Sequence, residues 1–127
     1  MILLTNTVEQ TVAPGAAVTY DTVIFQTGNG ECHRRGSGGV SMRSRGIYEV
    51  HFSANVSGTA PVELTIEAGG EPLPETVMVS NVATAQNVAT MTALRNCCEG
   101  YDRITVVNTG AADAVVENAK LFVRRVA

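Results

Sequence analysis

The sequence predicts an all-β domain, and one stretch carries most of that prediction. Between Gly46 and Gly58, apolar and polar residues alternate without a break from Tyr48 to Ser57. Side chains on a strand point to opposite faces with a period of two, so this stretch is a strand with one buried face. Turn signals such as Gly58 and Gly69-Gly70 recur about every eight to fifteen residues, a spacing typical of a β-sandwich or barrel.

Length and composition favour one globular domain covering residues 1–127. The chain is 45% hydrophobic and 17% charged, with a net charge of −3. No apolar run approaches the about 18 residues of a membrane span, so we predict no contact with a membrane. A nucleic-acid binder usually carries a basic stripe, so we predict no nucleic-acid partner either.

The predicted strands lie between the turn signals. Gly69-Gly70 is expected to turn a hairpin after the strand at Val62–Ala68, and residues 1–14 are either a docking arm or the first two strands. In chain order, the predicted strands are Ile2–Thr5, Glu9–Val12, Val18–Gln26, Glu31–Arg34, Val40–Arg43, Ile47–Val56, Val62–Ala68, Thr76–Ser80, Asn87–Leu94, Arg103–Asn108 and Val115–Val126.

Two of these strands are apolar on both faces. Asn87–Leu94 has small apolar residues on one face and larger ones on the other. In the last strand, Phe122 lies on the opposite face from Leu121 and Val123. A strand that is apolar on both faces needs cover on both faces. We therefore expect the second cover to come from another subunit. A helix over Ala83–Leu94 is the alternative, although its threonines disfavour it.

Three segments resemble the globular heads of the complement and tumour necrosis factor superfamily, including bacterial and phage members such as the C-terminal heads of collagen-like spore-surface glycoproteins. Each segment is short, and their order and spacing fit from about residue 15 to the end. They are Gly46-Ile47-Tyr48 to Val56, Glu99-Gly100-Tyr101-Asp102-Arg103-Ile104-Thr105-Val106-Val107-Asn108, and Ala119-Lys120-Leu121-Phe122-Val123-Arg124-Arg125.

The resemblance implies a ten-stranded jelly-roll sandwich that assembles as a homotrimer, with one sheet packed around the threefold axis. The interface residues it implies are Tyr48, Ala89, Met91, Ala93 and Phe122. The chain differs from many relatives because it has no Gly-X-Y repeat and only 5% aromatic residues.

No catalytic or metal signature is strong. Cys32, His33, Cys97 and Cys98 are metal-ligand types, but they lack the Cys-x2-Cys spacing of zinc sites. Structural thiols are therefore the preferred interpretation, and we predict no metal and no cofactor.

His51 lies on the polar strand face beside Glu49 and Ser53. Residues i and i+2 on a strand are about 7 Å apart, so we expect no hydrogen-bonded relay there and no enzyme activity. In a trimer, His51 could act as a pH-sensitive contact.

Four arginines form a candidate contact for an anionic ligand such as an acidic glycan: Arg34, Arg35, Arg43 and Arg45. Arginine forks match carboxylate, sulfate and phosphate groups. The alternative is a polar surface balanced by nearby glutamates.

The function predicted from these features is a non-enzymatic structural or recognition module. The favoured version is the trimeric head of a phage or prophage virion, as a decoration or fibre-tip protein mounted on a scaffold protein. A spore- or cell-surface head is its sibling. The alternatives are a secreted lectin-like glycan-binding domain and, less favoured, a small cupin-like enzyme. Because Met1–Asn6 lacks the basic region of a signal peptide, we expect folding in a bacterial cytoplasm, with a final location on a virion or surface.

Overall fold

The computed structural model of the chain describes residues 1–28, 31–33, 37–81, 84–96 and 103–127, and for Cys32 the backbone alone. These residues form twelve strands and one short 3₁₀ helix at Pro74–Thr76. The strands, in chain order, are β1 (Ile2–Thr5), β2 (Gln10–Val12), β3 (Thr22–Gln26), β4 (Glu31–Cys32), β5 (Val40–Met42), β6 (Gly46–Ser57), β7 (Val62–Ala68), β8 (Glu71–Pro72), β9 (Met78–Ser80), β10 (Gln86–Asn96), β11 (Arg103–Asn108) and β12 (Ala114–Arg125).

The strands form two antiparallel sheets of six strands each. Sheet A has the order β10-β6-β12-β1-β3, with β2 paired to β12, and sheet B has the order β4-β5-β11-β7-β8, with β9 paired to β7. The first strand therefore lies beside the last one in the middle of sheet A. This arrangement confirms the predicted all-β jelly-roll sandwich. The described strands number twelve rather than ten, and two of them, β4 and β8, contain only two residues.

The alternation read from the sequence is the one that builds the core. Along β6, Tyr48, Val50, Phe52, Ala54 and Val56 are buried, and the residues between them are partly exposed or exposed. These side chains and the inward residues of sheet B form one hydrophobic cluster. Burying alternate residues of two facing sheets is the usual core of a sandwich, so both sheets are held by the same apolar contacts.

Three predictions about the elements have clear outcomes. The hairpin at Gly69-Gly70 is present between β7 and β8, and both glycines have positive φ angles, of 60° and 84°. The alternative helix over Ala83–Leu94 is wrong, because Gln86–Asn96 is a strand paired with β6 along its whole length. Residues 1–14 contain β1 and β2, so this segment supplies strands of sheet A rather than a separate arm.

The predicted strand Val18–Gln26 is shorter in the structure and begins at Thr22. Val18 and Tyr20 are fully buried, which explains their apolar alternation in the sequence. The Val18 amide donates to the Val106 carbonyl oxygen at 2.8 Å, so this segment lies against sheet B before the chain enters β3 in sheet A. Its apolar pattern therefore comes from a connection between the sheets.

Candidate functional site

One row of side chains crosses the outer face of sheet A, the face turned away from sheet B. The strand registers pair Met91 with His51, His51 with Phe122, Phe122 with Leu3, and Leu3 with Phe25. Residues paired across neighbouring strands lie on the same face of a sheet. We call these five residues the outer row.

The outer row exposes apolar surface in the isolated chain. Met91 is 57% exposed and Phe25 is 38% exposed, while Leu3 and Phe122 are half-buried. The Phe122 ring lies edge-on to both of its aromatic neighbours, 6.5 Å from Phe25 and 5.8 Å from His51 between ring centroids. An apolar strip of this kind on a sheet face commonly marks an interaction surface.

A shallow depression of about 510 Å³ lies at the β10 end of the outer row. Its lining includes Met91, His51 and Phe122, with Ala89 and Lys120 beside them. The hydrogen bond of Asn87 Nδ2 to Asn55 Oδ1, at 3.2 Å, adds a polar pair farther along the face. The outer face is therefore apolar at its centre and polar beyond it.

A charged cluster lies on the outer face, on the side of the outer row opposite the Asn87–Asn55 pair. Arg124 Nη2 donates to Glu49 Oε2 at 2.9 Å, and His51 Nε2 makes a close contact with Glu49 Oε1. The hydrogen bond to His51, followed by the one from Arg124, holds the pKa of Glu49 below its usual value. The expectation that Glu49 and His51 are too far apart to bond is therefore wrong, because their side chains lean toward each other along β6.

The arrangement does not assemble a catalytic relay. Among the described residues, no hydrogen bond joins His51 to Ser53, so the Glu49, His51 and Ser53 sequence lacks the nucleophile–base contact that such chemistry requires. No group of three or more His, Cys, Asp or Glu side chains in the described part of the chain could hold a metal ion. The described residues also include no helix long and apolar enough to cross a bilayer.

The His33 ring contacts the protein backbone through both of its nitrogens. Its Nδ1 lies 2.7 Å from the Gly39 carbonyl oxygen and its Nε2 lies 3.3 Å from the Tyr20 carbonyl oxygen. Both ring nitrogens therefore face backbone oxygens. The other members of the candidate metal set, Cys97 and Cys98, lie outside the described residues, as does the side chain of Cys32.

The predicted interface residues divide into two groups. Ala89, Met91 and Ala93 are exposed on β10, and Phe122 is half-buried beside them in the outer row. Tyr48 is different: it is fully buried between the sheets, and its hydroxyl donates to the Ser44 carbonyl oxygen at 2.9 Å. The Tyr48 side chain cannot reach another subunit, so we exclude it from the outer face.

Leu3 and Phe25 were not predicted to belong to this surface. Each belongs to an apolar run without alternation, Ile2-Leu3-Leu4 and Val23-Ile24-Phe25. Such a run indicates a strand with apolar residues on both faces. That signal was available in the sequence for Leu3 and Phe25, as it was for Phe122.

The predicted anion contacts are only partly placed. Arg43 and Arg45 are exposed, whereas Arg34 and Arg35 lie outside the described residues. Arg45 lines a second depression with Arg95 and Arg125, two arginines that the sequence prediction did not include, and Arg43 is not part of that lining.

Known structures with the same architecture fit this fold over nearly its whole length. The globular domain of zebrafish complement 1qA protein matches with a TM-score of 0.75 at 11% identity, covering 99% of this chain and 96% of that one. Eiger TNF from S. frugiperda matches with a TM-score of 0.76 at 13% identity, covering 99% and 92%.

The chain has the same jelly-roll fold as these complement and tumour necrosis factor structures. A third similar structure, PRD1 vertex protein P5, has a TM-score of 0.55 at 14% identity, covering 94% of this chain and 93% of that one. No family model and no curated protein matches the sequence. At these identities the likeness concerns the fold, so a functional conclusion must come from the surface.

Proposed function

We propose that the chain is a non-enzymatic recognition module that acts as a homotrimer, with the outer face of sheet A buried between three copies. The outer row carries this proposal, because it extends across five strands and leaves Met91 and Phe25 exposed in a single chain. A closed symmetric assembly is the common way for a protein to cover such a surface.

The charged groups nearest the outer row are compensated within the chain or can reach water. The negative charge of Glu49, the acidic residue of the charged cluster, is compensated within the chain by Arg124 and His51. Lys120 lies at the edge of the apolar depression, and its long stem can extend its ammonium group to water. Glu117, which is paired with Asn55 on the same face, has no ion pair among the described residues, so in a trimer its carboxylate must reach solvent or a partner.

We further propose that the trimer is a surface head on a virion, as a decoration or fibre-tip protein, with a spore- or cell-surface head as the sibling role. The similarity to a protein named as a vertex protein supports this proposal. Three identical chains would present three copies of any contact surface, and linked weak contacts produce a much higher overall affinity than one contact does.

The first test is the mass of the purified chain in solution by light scattering, with and without a reducing agent. We expect three times the chain mass of 13.3 kDa, and the same value under both conditions. A monomer at all accessible concentrations would contradict the trimer. A mass that falls on reduction would show that cysteines, and not the outer face, hold the copies together.

The location has a separate test. Particles released by a source strain are purified by density gradient, and their proteins are identified by mass spectrometry. The virion proposal predicts that the chain sediments with the particles. Recovery in the cell extract alone would exclude a virion role, whatever its oligomeric state.

A further inference from the structure

A second depression, of about 500 Å³, lies at the end of the sandwich where β6 begins and where β10 and β12 end. Three arginines line it: Arg45 just before β6, Arg95 near the end of β10, and Arg125 at the end of β12. The registers place Arg95 beside the exposed Ile47 on the outer face and Arg125 beside Tyr48 on the inner face, so the two arginines border the depression from the two sides of the sheet, where its strands end. The sheet therefore gathers three cations that are distant in sequence.

None of these three guanidinium groups has a carboxylate within 4.0 Å in the described part of the chain. Their neighbour Arg124 differs, because it is paired with Glu49 at 2.9 Å. The chain as a whole has a net charge of −3, so three cations around one depression, none of them in an ion pair with another described residue, form a local reversal of its charge. Like charges held near each other raise the free energy of the folded chain, and a bound anion would offset that cost.

One of the three arginines, Arg125, lies against the backbone of Gly46. A Cβ at Gly46 would overlap Nε of Arg125 and the carbonyl oxygen of Ala127, and the residue has a φ of 150°, which side-chain-bearing residues rarely adopt. Two backbone hydrogen bonds join residues 126–127 to Ile47: the Val126 amide donates to the Ile47 carbonyl oxygen at 2.8 Å, and the Ile47 amide donates to the Ala127 oxygen at 3.1 Å. The Arg125 guanidinium therefore lies directly against the backbone, which limits the conformational entropy that it would lose on binding a ligand.

We propose that Arg45, Arg95 and Arg125 bind the oxyanion group of an acidic glycan, a sulfate or a carboxylate. Arginine presents a planar fork of donors that matches such groups in pairs of hydrogen bonds. The volume of about 500 Å³ lies within the range of small-molecule sites. The same guanidinium chemistry serves both groups, so the oxyanion and not the sugar ring is the recognised feature.

This site does not depend on the proposed trimer. Arg95 lies four residues beyond Met91 on β10, about 14 Å along the strand, so it is at the rim of the face that the trimer would bury. In a trimer, three such sites would lie around one end of the assembly. In a monomer, a single site would remain.

The test is a calorimetric titration of the full chain with heparin oligosaccharide, which carries sulfate and carboxylate, and with hyaluronan oligosaccharide, which carries carboxylate alone. Neutral dextran is the blank, and the buffer contains salt at about 150 mM to screen diffuse charge. Binding of both acidic sugars would assign a carboxylate-competent site, and binding of heparin alone would assign sulfate.

The variants separate this site from general basicity. The double substitution Arg95→Gln with Arg125→Gln is expected to weaken binding at least about tenfold. The matched control, Arg43→Gln with Arg103→Gln, removes the same charge from exposed positions outside the depression, and we expect less than a twofold change. Arg125→Lys keeps the charge but removes the fork, so a loss of severalfold would show that fork geometry matters.

Thermal melts by circular dichroism and light scattering on the same samples show whether each variant is folded and unchanged in mass. A folded Arg95/Arg125 variant of wild-type mass that has lost binding would locate the loss at this site. Equal losses in the control double variant would overturn the proposal in favour of diffuse attraction. Failure of the wild-type chain to bind either acidic sugar at millimolar concentration would also overturn it, and would leave the trimer untouched.

Discussion

The substitution Met91→Gln tests the outer row without disturbing the core. Met91 is 57% exposed in a single chain and lies at the centre of the exposed face of β10. Glutamine has a similar length and no charge, so it cannot form a new ion pair with His51. We expect the free energy of unfolding of the single chain to change by less than about 0.5 kcal/mol.

The effect on the trimer is larger and follows from the exposure. Full burial of a methionine side chain contributes about 1.5–3 kcal/mol, and a little over half of Met91 remains to be buried by a partner. This gives about 1 kcal/mol per chain and about 3 kcal/mol for three chains, a dissociation constant roughly a hundredfold higher. Because three chains separate together, the concentration at half-dissociation rises with the square root of that constant, by about tenfold.

The assay is light scattering or sedimentation equilibrium over a dilution series, and Val79→Thr is the control. Val79 is 51% exposed and lies on β9 in the other sheet. Its polar replacement should leave the trimer constant unchanged. If the control dissociated the trimer and Met91→Gln did not, the copies would associate through sheet B, and our assignment of the interface would be refuted.

Three further outcomes follow from buried or paired groups. The Tyr20 hydroxyl is buried without a hydrogen-bond partner among the described residues, and burial raises its pKa. In urea denaturation, Tyr20→Phe should therefore leave the free energy of unfolding unchanged or raise it by up to about 2 kcal/mol. The matched control, Tyr48→Phe, loses hydrogen bonds and should lower the free energy of unfolding by about 1 kcal/mol. Glu49 has a lowered pKa in the folded chain because His51 is hydrogen-bonded to it. Its contribution to folding stability is therefore present above its unfolded pKa of about 4.3 and is lost as the pH falls through the lower folded value. On acidification, the urea midpoint should fall less in Glu49→Gln than in the wild type, and equal slopes would contradict this. Asn108 is buried and makes three hydrogen bonds through its side-chain amide, each at 2.9 Å. Asn108→Ala should therefore lower the free energy of unfolding by about 2–4 kcal/mol. A loss below about 1 kcal/mol would show that water replaces those hydrogen bonds.

Much of the sandwich could be predicted from local periodicity. The alternation from Tyr48 to Ser57 fixes which residues of β6 lie inside, because a strand has only two faces. The same periodicity argues against Tyr48 as an interface residue, since it shares its face with Val50 and Phe52. The implied role of Tyr48 came from the resemblance, and the local pattern was the better guide.

The candidate sites were less predictable because they depend on register. No pattern in the sequence places Phe25 beside Leu3, where a register shift occurs between Leu3 and Leu4. Arg95 and Arg125 likewise border one depression only because three strands that are distant in sequence have their ends there. Registers of strands far apart in the chain are set by the whole packed core, and not by the residues of either strand alone.

The position of β12 has a consequence for the synthesis of the protein. This last strand lies in the middle of sheet A, where β6 and β1 pair with it on either side. A nascent chain that still lacks β12 has both of those strands without their shared neighbour, so sheet A cannot close before β12 has been synthesised. Pairings between the two extremes of a chain are slow to form, and unpaired strand edges with apolar faces attract other chains. Until β12 has paired, protection of these strands by a chaperone therefore matters more for this protein than for a fold built from neighbouring hairpins.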